Sequence, residues 1–141
     1  LNKLLKNDKI TKIFHFARFD LAAIQKNLNI YCENIYCTKI ASKLTRTYTE
    51  KHGLKEICKE LLNIEISKQQ QSSDWGNENL SEQQLKYAAS DVLYLHELKL
   101  KLDILLKREN RELLAENIFK FLSTRAYLDL NGWDTPDIFD H

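Results

Sequence analysis

The sequence predicts an α/β fold that is mostly helical and carries about two short strands. Three observations predict it. Hydrophobic residues make up 43% of the 141, with only three glycines and one proline, the composition of a packed, helix-rich chain without long linkers. Two short β-rich runs are each followed by a turn and then by apolar positions at helical spacing. One later segment is apolar nearly all round a helix, yet carries Tyr87 and Asp91 four residues apart.

In chain order, residues 1 to about 7 have the pattern of the last turns of a helix. The chain opens inside this amphipathic pattern with no N-terminal cap, so the expectation is that something upstream has been removed. Lys12-Ile13-Phe14-His15-Phe16 predicts a strand, Ala17-Arg18-Phe19-Asp20 a turn, and Leu21, Ile24 and Leu28 a helix with Asp20 as its natural N-cap. A second strand-turn-helix unit follows: Asn34-Ile35-Tyr36-Cys37 is the strand, and Thr38 caps a helix through Ile40, Ala41 and Leu44.

Leu54, Ile57, Cys58, Leu61 and Leu62 predict a further helix, after which residues 63–80 lose periodicity and form one long polar loop. Ser81-Glu82-Gln83-Gln84 is a capping-box pattern that starts the Tyr87/Asp91 helix, expected to run to about Lys107. Leu85, Ala88, Val92, Leu95 and Leu102 form one stripe of it, and Leu98 lies on the side of Tyr87, Asp91 and Tyr94. A last helix carries Leu114, Ile118, Phe121 and Leu122, and residues 123–141 are expected to be a tail held down by Trp133 and Phe139. The length suits a single domain over residues 1–141. Two strands among about six helical segments leave the sheet short of neighbours, so it reads as incomplete.

Charge and cysteine usage narrow the function classes. A formal charge of +1 excludes a broad basic surface that grips duplex nucleic acid by charge alone, so any nucleic-acid contact is local. Cys32, Cys37 and Cys58 are odd in number and lack C-x-x-C spacing, which indicates neither a disulfide framework nor a zinc site and fits a reducing cytoplasm. No stretch approaches the roughly 20 apolar residues that cross a bilayer, and no signal peptide is expected.

A buried ionised aspartate costs several kcal/mol or more unless it is paired, hydrogen-bonded or bound to a cation, which makes Asp91 the residue to explain. Asp20 follows the strand end Phe14-His15-Phe16, and a strand end and a helix face can converge. Two converging carboxylates make a site for Mg²⁺ or Mn²⁺, and two such metals suit phosphodiester hydrolysis. Tyr87, one turn before Asp91, would then orient the attacking water. Each residue also has a plain structural role: Asp20 as a helix cap, His15 as a half-buried histidine, the Gln/Ser run as a solvated loop, and Arg125 as a surface or tail anchor.

The combination is more specific than its parts. Phe14-His15-Phe16-Ala17-Arg18-Phe19-Asp20-Leu21 resembles the second motif of ribonuclease D-like 3′-5′ exonucleases. Tyr87-Ala88-Ala89-Ser90-Asp91-Val92-Leu93-Tyr94-Leu95 resembles the third motif of the tyrosine branch of the same DEDD superfamily. Arg46-Thr47-Tyr48-Thr49 with His52-Gly53-Leu54-Lys55, Ser67-Lys68-Gln69-Gln70-Gln71-Ser72-Ser73-Asp74-Trp75, and the ending Thr124-Arg125-Ala126 to Asp137-Ile138-Phe139 are similar to the short alphaproteobacterial relatives of the nano-RNase C type. The resemblance implies a ribonuclease H-like α/β fold, two divalent metal ions, and removal of nucleotides from the 3′ end of short RNA oligonucleotides. It implies Asp20 and Asp91 as metal ligands, Tyr87 as the residue that orients the water, and a homo-oligomer. His15, Lys68, Gln70, Ser72 and Trp75 are the expected substrate contacts, the last four from the loop, with Trp75 offering a stacking face.

Two features depart from that pattern. The family's first motif, Asp-x-Glu, has no counterpart here, so two of its four metal-binding carboxylates are missing and a chain lacking the first strands is expected. Cys37 stands where relatives carry Asp before the Thr that opens the next helix, which weakens that cap. The sequence therefore carries two expectations: an exoribonuclease whose Asp-x-Glu segment is supplied elsewhere, or a catalytically inactive remnant or assembly subunit.

Overall fold

The computed structural model describes the backbone of residues 1–66 and 82–141, and the side chains of residues 1–66 and 94–141. In chain order the described elements are α1 (Asn2–Lys6), β1 (Lys12–Phe14), α2 (Ala17–Leu28), β2 (Ile35–Cys37), α3 (Thr38–Thr45), α4 (Leu54–Leu62), α5 (Glu82–Arg108) and α6 (Glu112–Leu130). The strands run parallel with Ile13 opposite Tyr36, and α2 is the crossover between them. α2 packs on α6, while α3 and α4 pack on α5, so the helices enclose a core around the two strands.

Leu21, Ile57, Leu98 and Leu102 have essentially no exposed surface and anchor α2, α4 and α5 to this core. Burying a side chain of that size contributes roughly 1.5–3 kcal/mol as an upper bound. Few glycines suffice because asparagine takes the left-handed positions: Asn29 and Asn63 close α2 and α4 at φ 55°, and Asn34 and Asn110 lie at φ 58° and 57° in loops. A short polar side chain tolerates that conformation better than other non-glycine residues do.

Several boundaries differ from the sequence expectation. β1 ends at Phe14, not Phe16. The residues read as a turn, 17–20, are the first turn of α2, so Asp20 is not the N-cap. Phe16 occupies that position, its carbonyl accepting from the amides of Phe19 and Asp20, both at 3.1 Å. Ala17, Arg18 and Phe19 have no glycine or proline to stop the helix from starting early. Thr38 likewise is the first helical residue of α3 and not its cap; Cys37 is the N-cap and makes no side-chain capping bond.

α6 continues eight residues beyond the expected start of the tail, to Leu130. The tail is held by Phe139, whose ring packs on Phe121 with centroids 5.9 Å apart, and by Arg125, while Trp133 and Phe139 stay 45% and 63% exposed. Arg125 donates to both Asp137 oxygens at 2.9 and 3.1 Å and to the Trp133 carbonyl at 2.9 Å. α5 runs one residue past its expected end, but its described half is not apolar-buried all round: Leu98, Leu102 and Leu106 are buried while Leu100 and Ile104 are 66% and 65% exposed. The expected Ser81 cap and the polar residues 67–80 lie outside the described residues, as do the side chains of Leu85, Ala88 and Val92.

Candidate active site

β1 delivers His15 to its carboxyl end, where the parallel chain must turn into α2. The His15 carbonyl accepts from the Lys39 amide at 3.2 Å and from the Cys37 thiol at 3.3 Å, which ties this turn to the start of α3. The imidazole Nδ1 lies 2.9 Å from Thr38 Oγ1, and that hydroxyl also donates to the Phe14 carbonyl at 3.4 Å. Thr38 thus orients the ring. Burial first, and the neighbouring Lys39 charge second, push the His15 pKa down to about 4, so the ring is neutral near pH 7.

Beyond His15 lies an open cleft of about 370 Å³ lined by Ile13, Phe14 and His15 from β1, Asp20, Ala23 and Ile24 from α2, and Leu95 from α5. Asp20, Ala23 and Ile24 follow the i, i+3, i+4 rule and so share one face of α2. Asp20 is half-buried in the helix's first turn, where the positive end of the helix dipole favours a carboxylate. The structure therefore brings two sequence-predicted residues, His15 and Asp20, into one cleft.

Tyr87 and Asp91 lie on α5, with their side chains outside the described residues. Their backbone positions are informative: 87, 91 and 95 succeed one another at one-turn steps, and Leu95 is the α5 residue in the cleft wall. Leu98 and Leu102, seven and eleven residues after position 91, have no exposed surface and mark the same helical face as the packed one. Lys68, Gln70, Ser72 and Trp75 lie outside the described residues.

A larger cavity, about 920 Å³, opens at the other end of the strands, beside Asp8, Thr11, Glu33 and Asn34. Size does not decide between the two. Parallel α/β sheets present ligand sites at the carboxyl ends of their strands, and only the smaller cleft is there. The donors at that cleft are hard oxygens, and Asp20 with Asp91 would suit Mg²⁺ or Mn²⁺ in kind though they are few in number. Among the described residues no three His, Cys, Asp or Glu side chains converge as a metal-holding group. The Cys37 thiol is committed to the His15 carbonyl, and burial pushes its pKa up.

Sequence reasoning missed the residues that hold the cleft in shape. Thr38 was assigned to capping, and nothing in its spacing indicates its bond to His15. Behind α3, Ser42 Oγ lies 2.8 Å from His52 Nδ1 and accepts from Arg46 Nη1 at 2.9 Å, while Arg46 also donates to the Lys51 carbonyl at 2.7 Å and pairs with Glu60. Ser42 is wholly buried, so this Ser-His contact is a structural brace between α3 and α4 and not a nucleophile.

The cleft at the strand end is thus lined by Asp20 and walled by the helix whose sequence carries Tyr87 and Asp91 one turn apart. The 3′-5′ exonuclease family profile matches residues 1–107, and the chain belongs to that family. Among solved structures, NrnC of Brucella melitensis is 62% identical with a TM-score of 0.91, covering 99% of this chain and 68% of that one. The Brucella protein has also been solved with bound Mg²⁺ and bound to pGG. DNA polymerase I of Aquifex aeolicus is 38% identical over 126 residues, which are 89% of this chain and 20% of the polymerase. Ribonuclease D of Pseudomonas paraeruginosa is 30% identical over 115 residues, 82% of this chain and 30% of that enzyme. The chain thus spans under a third of the length of these two curated relatives. The ribonuclease H-like exonuclease fold and the likeness to ribonuclease D and nano-RNase C stand on these matches.

Proposed function

We propose that this chain forms the site of a metal-dependent 3′-5′ exoribonuclease acting on short RNA oligonucleotides. The observation that carries this reading is the convergence of His15, Asp20 and the α5 residue Leu95 on one cleft at the strand end, with position 91 one turn from Leu95. Asp20 and Asp91 hold the divalent cations, and Tyr87, a turn before Asp91, orients the attacking water. Cations held there supply the activation of water and the charge stabilisation that in-line phosphodiester displacement needs. The neutral His15 ring, fixed by Thr38, offers the substrate a hydrogen bond without adding charge. Lys68, Gln70, Ser72 and Trp75 contribute phosphate and base contacts from the loop. The Brucella protein bound to pGG supports a short oligonucleotide as substrate.

The test is release of GMP from 5′-labelled pGG in Mn²⁺, compared between the unaltered protein and Asp91→Asn. Release that falls by at least about a hundredfold in the variant is expected, as for removal of a principal electrostatic contributor. The alternative, an inactive assembly subunit, is favoured by one observation: no Asp-x-Glu pair occurs in the 141 residues, so Asp20 and Asp91 are two of the family's four carboxylates. No GMP release, or release indifferent to Asp91→Asn, would select it. A homo-oligomer is part of the same proposal, supported by the exposed apolar side chains Leu100 and Ile104 on α5 and Leu113 and Leu114 on α6. Light scattering that returns the monomer mass of 16.6 kDa at micromolar concentration would contradict it.

A further inference from the structure

Two phenylalanines stand exposed beside the cleft. Phe16 is 45% exposed and Phe19 68%, and their rings meet edge to face with centroids 6.1 Å apart. Single exposed apolar side chains are common, so what marks these two is that their rings meet each other beside Asp20. Their position on α2 is not arbitrary. Phe16, the N-cap, is one turn before Asp20 and Phe19 is its chain neighbour, so the aromatic pair flanks the cleft residues His15 and Asp20 along the chain.

A cation accompanies them. Lys39, in the first turn of α3, places its Nζ 4.2 Å from the centre of the Phe16 ring, and its backbone amide is bonded to the His15 carbonyl. The neighbouring Arg18 cannot take that part, because its guanidinium forks onto Asp129 at 2.6 and 2.8 Å. Exposed aromatic rings next to a positive charge, at the mouth of a carboxylate cleft, are the combination with which single-stranded nucleic acid is held: a base stacks on the ring and a phosphate meets the cation.

We propose that Phe16 and Phe19 form a stacking platform for a nucleobase of the bound oligonucleotide, with Lys39 meeting the phosphate attached to it. The proposal rests on the exonuclease reading and names a subsite of it. Because stacking on a π-face tolerates every base, the platform grips short RNA without reading its sequence. Lys39 lowers the cost of bringing a phosphate close to Asp20, which otherwise repels it.

The experiment measures pGG binding in Ca²⁺, and in parallel Mn²⁺-dependent hydrolysis of bis(p-nitrophenyl) phosphate, which has no base. Phe19→Ala and Phe16→Ala should each weaken pGG binding about tenfold, the order expected for one stacked base. Phe19→Trp should restore it. Hydrolysis of the base-free ester should stay within about twofold of the unaltered protein, because that ester offers no base to stack. Lys39→Gln should weaken pGG more than it weakens unphosphorylated GG. Unchanged pGG affinity in both phenylalanine variants overturns the platform while leaving the exonuclease reading intact. Failure of the unaltered protein to bind pGG or to cleave either substrate overturns both. Equal losses with and without a base would show that the rings support the fold and do not stack.

Discussion

His15 shows how much of this site is set by one half-buried ring. Its pKa falls to about 4 chiefly through burial, with Lys39 adding repulsion, against 6.5 in an unfolded chain. Between these values the unfolded state binds more protons than the folded one, so stability is fully present above about pH 6.5 and is lost as the pH falls towards about 4. The loss amounts to at most about 3 kcal/mol. Urea titrations across that range should show the slope in the unaltered protein and a flatter one in His15→Gln; identical slopes would mean the ring is not buried as described. Asp20 was legible from its distance to Phe14-His15, but its structural role was not. The sequence pattern makes aspartate a natural cap, whereas Phe16 starts the helix a turn earlier and Asp20 lies within it, on the wall of the cleft.

At the scale of elements, α5 separates what periodicity can reveal from what it cannot. Its extent was readable from an unbroken run of helix formers, but not which apolar residues turn inward, because Leu98, Leu100, Leu102 and Ile104 are equally apolar in the sequence. Packing of α3 and α4 against one side decides it. Leu102→Ala should cost about 2–5 kcal/mol through the cavity it leaves. Leu100→Ala, on the exposed side, should stay within about 0.5 kcal/mol. Chemical denaturation of the two variants checks the assignment. α6 was cut short in the sequence reading because polar Ser123, Thr124 and Arg125 interrupt its apolar pattern. In the fold Ser123 donates to the Cys32 carbonyl at 2.8 Å, and Arg125 pairs with Asp129 and Asp137. Arg125→Ala should therefore release residues 132–141, read as lost hydrogen-exchange protection at Trp133 and Ile138; retained protection would show that the Phe139 contact holds the tail alone.

For the whole molecule, the two motif segments identified the family because each couples a fold position to a chemical group. Phe-His before Asp-Leu places a carboxylate after a strand, and Tyr-x-x-x-Asp places another on a packed helix face. The β1-α2-β2 crossover and α5 bring Asp20 and Leu95, the latter one turn after position 91, to one strand end, at the smaller of the two cavities. Composition alone could not have chosen between them, since the larger cavity also carries acids. What the sequence left open is the brace of Thr38, Ser42, His52 and Arg46, whose contacts join residues on separate elements and carry no periodic signal.

In the proposed function Asp20 and Asp91 share one divalent-cation site. Isothermal calorimetry with Mn²⁺ tests it most directly, on the unaltered protein and on Asp20→Asn and Asp91→Asn. Mn²⁺ binding should weaken at least about tenfold in each variant, as expected when a hard cation loses a carboxylate ligand. In the double variant the further loss should be smaller than the sum of the two, because the residues act on one site. Binding unaffected by either substitution, or additive losses from two independent sites, would contradict it.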